Sequence, residues 1–320
     1  MLLFLPCFST ATTDAATGTT ETATCTGMYV ARFVKVAASE LFVSTPNPSW
    51  FGNPPNDGAQ NWLTSRFHFN FAEYRGGRGN FGVLRVVNDD YVLARRGFGE
   101  HGHADMEIVT YVLEGELTHK DSIGTSETLG RGAVQFMTAG SGVRHSEQNL
   151  HSSSPLRFIQ TWIMPRARSL PPNYGSTGSG AVVGERLATA RDNRWSHLVS
   201  DVRNTAATTP VAINQDCNVY VAEISDGSTL RFELGERRQV YVVVVEGSAA
   251  VLDAKVHILA ALLHSVAVFH NNVVGALQGA PVSLERHSAA EMTGPGVLDL
   301  TGRTTSGERC HVMLFEMASV

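Results

Sequence analysis

Short apolar runs alternate with tight, glycine-containing turns through the middle of the chain. Residues 106–113 form a β-branched and apolar run, and residues 116–120 follow it as a second short run. Turn residues separate such runs at 114–115, 121–124, 130–132 and 139–142. Because strands of this length joined by tight turns are typical of antiparallel hairpins, the pattern predicts a β-meander. Such a meander can curl into a small barrel.

The same pattern extends to both sides of this meander. Further strands are predicted at residues 66–71, 156–164, 219–224, 229–234 and 239–246. In the first of these strands Phe67, Phe69 and Phe71 fall on one face, which we expect to point inward. The sequence Val-Val-Val-Val-Glu-Gly at 242–247 resembles residues 111–115 in placing Glu-Gly after an apolar strand. This similarity indicates an internal duplication.

The length of the chain and local changes in composition predict about two domains. A chain of 320 residues exceeds the usual size of one domain. We expect an N-terminal domain at 28–173, a linker at 174–210 that begins rich in Gly and Ser, and a C-terminal domain at 211–320. Residues 254–286 interrupt the strand pattern and are interpreted as an insertion, either helical or translated from non-coding sequence. Residues 1–27 lack Lys and Arg and are interpreted as disordered or as a misassigned start.

Charge and cysteine usage narrow the class of protein. The 25 basic and 30 acidic residues give a net charge of −5 without a basic stripe, which argues against direct nucleic-acid binding. The four cysteines have no metal or redox spacing, so we expect an intracellular protein, either cytoplasmic or nuclear. No stretch has the length and apolarity of a membrane span, and we expect no membrane association.

Two pairs of candidate metal ligands flank the meander. His101 and His103 form the first pair, and His145 and Glu147 form the second. Residues two apart on a strand point to the same face, with about 6.6 Å of strand between them. If the meander curls into a barrel, all four side chains can meet in its interior. The sequence therefore predicts a site of three imidazoles and one carboxylate.

This donor set has a characteristic metal chemistry. Imidazoles with one carboxylate suit Fe(II), Mn, Ni, Co or Cu, and no thiolate is present to favour a structural zinc site. An octahedral ion held by four protein groups keeps two positions for a substrate, or for a substrate oxygen and dioxygen. A single His-x-His pair is more often a surface or hydrogen-bonded feature than a metal site. Two matched pairs within one run of hairpins favour the metal site.

Other histidines are given ordinary roles. His68 points away from the aromatic face of its strand and is interpreted as structural, or at most near the site. His119 lies before a turn and His151 lies in a Ser-rich loop, so both are expected to be solvated. In the second half, His287 is followed by Ser288 and Ala289, with alanine where the first half has Glu147. A single histidine cannot hold a metal, so we expect no metal site in the C-terminal domain.

The motifs of the meander resemble those of the pirin family, and the resemblance is closest to bacterial-type members with quercetinase activity. The family signature contains His-Pro-His, then Met-Glu or Phe-Glu, a Tyr-Val-Leu-Glu-Gly-like strand, and a Met-Thr-Ala-Gly segment that ends in His-Ser-Glu. The matching segments here are 101–103, 106–107, 111–115 and 135–147. The resemblance extends to residues 67–74, 84–90, 162–165 and 172–174.

The resemblance implies an all-β bicupin, in which two jelly-roll barrels pack together and the N-terminal barrel holds one iron ion. The ligands that it implies are His101, His103, His145 and Glu147. Gly102 stands where the family usually has proline, which loosens the backbone between two ligands but removes no donor atom. General cupin motifs place a glutamate ligand a few residues after His-x-His. In the pirin pattern the carboxylate ligand is instead the glutamate of His-Ser-Glu. Glu107 is therefore interpreted as a residue that supports the ligands rather than as a ligand.

The function implied by the resemblance is a metal-dependent dioxygenase that opens the central ring of a quercetin-type flavonol and releases carbon monoxide. Fe(II) is the expected ion, with Mn, Ni, Co or Cu as alternatives, and Glu147 would accept the proton of the substrate hydroxyl. The expected partners are an aromatic small molecule and dioxygen, and the protein is expected to be a monomer. The alternative is a metal-bearing interaction protein, because pirins of higher organisms are linked to transcription-factor complexes.

Overall fold

The computed structural model describes residues 32–256, except 57 and 59, together with 281–304 and 309–319. The strands that precede residue 180 are β1 Arg32–Val36, β2 Phe42–Ser44, β3 Leu63–Phe67, β4 Leu84–Val92, β5 Arg96–His103, β6 Glu107–Glu114, β7 Glu116–Asp121, β8 Ser126–Gly130, β9 Val134–Thr138, β10 Val143–Asn149, β11 Leu156–Ile163 and β12 Asn173–Ser176. The strands that follow are β13 Ser196–Asp201, β14 Val211–Ile213, β15 Cys217–Ile224, β16 Thr229–Leu234, β17 Arg238–Glu246, β18 Ser248–Val256, β19 Val282–Glu285, β20 Ala289–Thr293, β21 Gly296–Arg303 and β22 Cys310–Ala318. The described helices are two 3₁₀ turns, Ala38–Glu40 and Pro48–Phe51, and α1 Ala181–Arg191.

The two halves of the chain form sheets of the same strand order. The first half has a seven-stranded sheet, β12-β9-β6-β11-β4-β3-β2, and a four-stranded sheet, β5-β10-β7-β8. The second half has a seven-stranded sheet that includes the order β20-β17-β22-β15-β13, and a four-stranded sheet, β16-β21-β18-β19. In each half the two sheets enclose a barrel interior. The protein is thus a bicupin of two jelly-roll barrels, as the sequence predicted.

The repeated Glu-Gly turn has the same backbone requirement in both halves. Gly115 follows β6 with φ of +72°, and Gly247 follows β17 with φ of +67°. A β-carbon on Gly115 would lie 2.2 Å from the carbonyl oxygen of Pro155, and one on Gly247 would lie 2.9 Å from that of Arg309. Only glycine fits this conformation so close to a neighbouring strand. The duplicated motif therefore marks the same turn in two barrels.

The two barrels share an apolar layer. One face of β6 contributes Val109, Tyr111 and Leu113 to a core that also contains Tyr241 and Phe315 from the second half. Because strand side chains alternate between faces, the other face of β6, with Thr110 among its residues, points into the first barrel. This alternation buries β6 on both sides, which explains why seven of its eight residues are buried.

Polar contacts cross the same layer. The guanidinium of Arg157 donates to both carboxylate oxygens of Asp89, at 2.8 and 2.6 Å, and also to the carbonyl oxygen of Val245, at 2.7 Å. His287 lies 2.7 Å from Asp89. His68 is buried and bonds through Nδ1 to the hydroxyl of Tyr241 at 2.8 Å, which confirms a structural role for it.

The connections between the barrels differ from the expected pattern. Strand β1, expected in the N-terminal domain, pairs with β20 in the sheet of the second half. The expected linker, 174–210, contains the end of β12, α1 and β13, and β13 is hydrogen-bonded within the second sheet. Sequence composition did not reveal these pairings because they depend on distant partners.

Two predicted segments lie partly or wholly beyond what is described. Residues 1–27 lie outside the described residues, as do residues 257–280 of the expected insertion. The borders of that insertion, expected at 254 and 286, fall inside or next to β18 and β19, which pair with each other. No described helix has the length and apolar run needed to cross a membrane.

Candidate metal centre

The central strand β10 brings the candidate donors together. It lies between β5 and β7, where His145 pairs with His101 on one side and Glu147 pairs with His119 on the other. Cross-strand partners project from the same face of a sheet. A bulge in the β5–β10 pairing, between His145 and Glu147, shifts the register there, so that Glu147 is opposite Phe98.

The three predicted histidines converge in the first barrel. The ring centroids of His101 and His103 are 4.7 Å apart, those of His101 and His145 are 4.6 Å apart, and those of His103 and His145 are 4.9 Å apart. One ring nitrogen of each histidine lies within 4.8 Å of the others. This spacing allows the three rings to turn toward one ion.

Glu147 adjoins this cluster through His145. Donor atoms of Glu147, His145 and His119 lie within 4.8 Å of one another. The Glu147 carboxylate is buried, and it accepts hydrogen bonds from Thr110 at 3.2 Å and Gln160 at 2.7 Å, as well as one from Gln135. The structure therefore brings all four predicted residues into one region, with the carboxylate on the His145 side.

Burial sets the protonation of these groups. Burial, together with the charge of neighbouring histidines, lowers the pKa of His103 to about 4 and that of His145 to about 2. These imidazoles are neutral at pH 7 and retain a lone pair for a metal. Burial also raises the pKa of Glu147 to about 7, although its three hydrogen-bond donors oppose that shift.

The ring nitrogens are poised for a cation. His101 directs Nδ1 to the carbonyl oxygen of Gly99 at 2.7 Å, which leaves Nε2 as the lone-pair atom. Neither ring nitrogen of His145 has a hydrogen-bond partner within the described ranges, although both atoms are buried. Buried polar atoms are nearly always satisfied by a protein group, water or an ion. The residues present therefore fit a bound metal ion.

His119 was expected to be solvated, and this prediction is wrong. Its side chain is 1% exposed, its Nε2 lies 2.9 Å from the Asp121 carboxylate, and its ring stacks on Tyr174 at 4.6 Å. The His-x-Asp spacing of β7 was a usable signal, because a carboxylate often orients a metal-binding histidine. What the sequence did not reveal was the register that sets His119 opposite Glu147. His151, in contrast, is exposed as predicted.

Glu107 does not support the ligands in the way expected. Its carboxylate accepts hydrogen bonds from Thr138 at 2.8 Å and from Asn214, in the second half, at 3.0 Å. The expectation assumed a continuous strand from His103. Instead the chain turns at Asp105, with φ of +53°, and passes from the four-stranded to the seven-stranded sheet. Glu107 therefore points toward the second half.

A shallow cavity of about 410 Å³, wide open to solvent, lies beside His103. Small residues line much of it, namely Gly102, Ala104, Ser122 and Gly142. The His103 ring also packs edge-on against Trp162, with centroids 4.8 Å apart. Because this cavity is open to solvent, a small molecule can reach His103, which is one of the candidate ligands.

Another group of possible donors, Glu223, Glu246 and His311, lies in the second half. Arg131 donates to Glu246 at 2.7 Å and to Glu223 at 3.1 Å, and Arg191 donates to Glu223 at 2.8 Å. Two guanidinium groups already compensate these carboxylates. The positive charge of these guanidinium groups opposes the binding of a metal cation. We therefore interpret the group as an ion-pair network between the halves.

Comparison with known proteins places this fold and site in context. The family model "Pirin" matches residues 53–163, and the model "Quercetinase C-terminal cupin domain" matches residues 199–263. A quercetin 2,3-dioxygenase of Escherichia coli O157:H7 is 36% identical over 198 residues, which cover 62% of this chain and 80% of that protein. A pirin-like protein of Caulobacter vibrioides is 37% identical over 199 residues, or 61% of this chain and 82% of that protein.

Solved structures agree with these relatives. The structure of YhhW from Escherichia coli has a TM-score of 0.66 and 26% identity, and the alignment covers 90% of this chain and 99% of that chain. The same bacterial pirin in complex with nickel(II) has a TM-score of 0.65 and 26% identity, with coverage of 90% and 100%. With two matching family models and relatives aligned over most of their length, the chain belongs to the pirin family.

Proposed function

We propose that this protein is a metal-dependent dioxygenase that opens the central ring of a quercetin-type flavonol. The observation that carries the proposal is the cluster of three neutral histidines with unpartnered His145 nitrogens, next to a cavity that reaches His103. A relative that shares 36% identity is named quercetin 2,3-dioxygenase. The overall change would insert both atoms of dioxygen into the product and release one ring carbon as carbon monoxide.

His101, His103 and His145 would hold the ion, with Glu147 as its carboxylate ligand. Fe(II) is our first choice, and Ni, Mn, Co and Cu suit the same donors; nickel(II) is the ion in the solved complex of the bacterial pirin YhhW. When bound, such an ion would act as a Lewis acid toward a substrate oxygen and favour the ionised form of that oxygen. The protein would supply the geometry and the proton acceptor.

Glu147 is the group best suited to accept the substrate proton. Burial raises the pKa of the metal-free Glu147 carboxyl to about 7, which favours proton uptake, whereas a bound cation would lower that pKa. Gln160 and Thr110 hold the carboxylate oxygens in place through their hydrogen bonds. A carboxylate fixed in this way would meet a substrate hydroxyl without a cost of reorganisation.

The cavity beside His103 would admit the substrate. It has a volume of about 410 Å³ and is open to solvent, so it would cover only part of a bound substrate. The small residues Gly102, Ala104 and Gly142 would leave room for a flat aromatic ring. Trp162 packs against His103 and would offer an aromatic surface near the metal side of that ring.

Oxygen uptake tests the proposal directly. Protein loaded separately with iron, nickel, manganese, cobalt or copper is mixed with quercetin, and oxygen consumption and carbon monoxide are measured. We expect turnover with at least one metal and none with the double variant His101→Ala/His145→Ala. If no loaded form consumes oxygen with any flavonol tested, the dioxygenase proposal is wrong. Stoichiometric metal without turnover would instead favour the interaction-protein alternative.

A further inference from the structure

The side chain of His119 has one nitrogen committed and one free. Its Nε2 lies 2.9 Å from the buried Asp121 carboxylate. The other oxygen of Asp121 accepts the amide hydrogens of Ile123 and Thr125, which favour its ionised form. The proton of a neutral His119 ring therefore lies on Nε2, and Nδ1 carries a lone pair. That Nδ1 is buried and has no hydrogen-bond partner in the described part of the chain.

The strand pairing of His119 places its ring beside the proposed site. Its cross-strand partner is Glu147, and its ring centroid lies 5.3 Å from that of His145. A donor atom of each of these three residues lies within 4.8 Å of the other two. Donors that share one ion at about 2.1 Å are separated by at most about 4.2 Å. Shifts of a few tenths of an ångström in the donor atoms would therefore allow His119, His145 and Glu147 to bind one ion.

We propose that His119 is a fifth protein donor of the metal centre and binds the ion through Nδ1. This inference rests on the metal site proposed above. Two donor groups then meet at His145, one with His101 and His103 and one with His119 and Glu147. An octahedral ion with five protein donors has one open position. The substrate would bind the ion through a single oxygen atom.

A purely structural role for His119 would leave the position of its ring beside His145 and Glu147 unexplained. An unpartnered nitrogen alone does not mark a ligand, because Nε2 of the structural His68 also has no partner among the described residues. A donor atom of His119, unlike one of His68, also lies within 4.8 Å of donor atoms of His145 and Glu147. Tyr174 stacks on the ring of His119, but its hydroxyl donates to Glu127 at 2.9 Å and to Gln135 at 3.0 Å. The Asp121–His119 pair instead matches the arrangement in which a carboxylate orients a metal-binding imidazole.

The test uses Cu(II) as the probe, because its electron paramagnetic resonance spectrum reports the nitrogen donors. Wild type, His119→Ala and His119→Gln are loaded with Cu(II), and affinity is measured by competition with a chelator. The glutamine variant keeps an N–H donor for Asp121 but has no ring nitrogen. We expect both variants to bind on the order of 100-fold more weakly. Residues that only orient ligands typically cost about 10–100-fold, so the spectrum rather than the affinity decides between the two roles. The spectra of both variants should show one nitrogen donor fewer.

The matched control is His151→Ala, which removes an exposed histidine and should leave affinity and spectrum unchanged. X-ray absorption of Cu(II)-loaded wild type provides a measurement that needs no variant, and four imidazole rings are expected rather than three. Three rings, or an unchanged spectrum in both His119 variants, would overturn the role of His119 while leaving the site intact. Weaker binding with an unchanged spectrum would likewise make His119 a positioning residue. If wild type binds no Cu(II), the metal site itself is wrong.

Discussion

The two halves of the chain share a strand order but line their barrels with different side chains. In the first half, the pairing of β5 with β10 sets His101 opposite His145. In the second half, the matching pair of strands, β16 and β21, sets Leu230 opposite Leu300 and Phe232 opposite Leu298. Leu298 and Leu300 are buried in the apolar core of that barrel.

This difference separates what specifies the fold from what specifies the chemistry. Both halves keep the glycine turn that follows β6 or β17, and both contribute to the apolar layer between the seven-stranded sheets. Burial of polar groups is costly unless each has a partner. In the first barrel, hydrogen bonds to Glu147 and a metal ion bound by the histidine nitrogens would offset this cost. The second barrel instead fills the same space with leucine and phenylalanine.

The largest expected effect is the loss of metal from the first half. In His101→Ala/His145→Ala two of three clustered imidazoles are removed, so bound metal should fall from about one ion per chain to none while the protein stays folded. Metal analysis together with circular dichroism measures both. The matched change in the second half, His311→Ala, should leave metal content unchanged. Metal retained by the double variant, or lost in His311→Ala, would break the contrast between the halves.

The second prediction concerns the proposed base. Glu147→Gln keeps the three imidazoles but can neither carry the negative charge nor accept a proton. We expect oxygen uptake with quercetin to fall by about 10² to 10⁴, the usual effect of losing a general base, with a smaller change in metal affinity. Turnover equal to wild type, with metal in place, would assign the base to another group.

The third prediction tests the apolar half. Leu300 is 0% exposed, and Leu300→Ala should lower the free energy of unfolding by about 2 to 5 kcal/mol, because the substitution leaves a cavity. The folded variant should still bind one metal ion per chain. Urea unfolding and metal analysis check these outcomes. A drop in metal content of the folded protein would show that the second barrel acts on the site.

The last prediction concerns the pH dependence of the free energy of unfolding, through the contact of His68 with Tyr241 of the second half. Burial lowers the pKa of His68 from 6.5 to about 4, so the folded protein favours the neutral ring. Its contribution to stability is complete above pH 6.5 and is lost as pH falls from 6.5 toward 4, by up to about 3 kcal/mol. Urea unfolding across this range should show a shallower pH dependence for His68→Gln than for wild type. Parallel curves would contradict the assignment.

The sequence was sufficient for the local features. Strand β16 was predicted with its exact ends, and β6, β7, β11 and β17 were predicted within about two residues, because apolar runs bounded by glycine are local signals. The convergence of His101, His103 and His145 followed from the two-residue period of strands. The duplicated Glu-Gly turn was visible because both glycines face the same steric restriction.

Features that depend on pairing between distant strands could not be predicted. His119 reaches the site only through the register between β7 and β10. Glu107 points away from it because the chain changes sheets at Asp105. Helix α1 begins in a stretch that contains several glycines, which is why the segment resembled a linker.

The pairing of β1 with β20 determines the order in which the protein can be completed during synthesis. Arg32 pairs with Thr293, so β1 leaves the ribosome about 260 residues before its partner. At usual rates of translation this separation corresponds to roughly 13 to 50 s. The first barrel can form in that interval, but β1 has no partner strand until β20 has been made. Removing residues 32–36 would therefore expose the edge of β20 and promote aggregation through the half that holds no proposed metal.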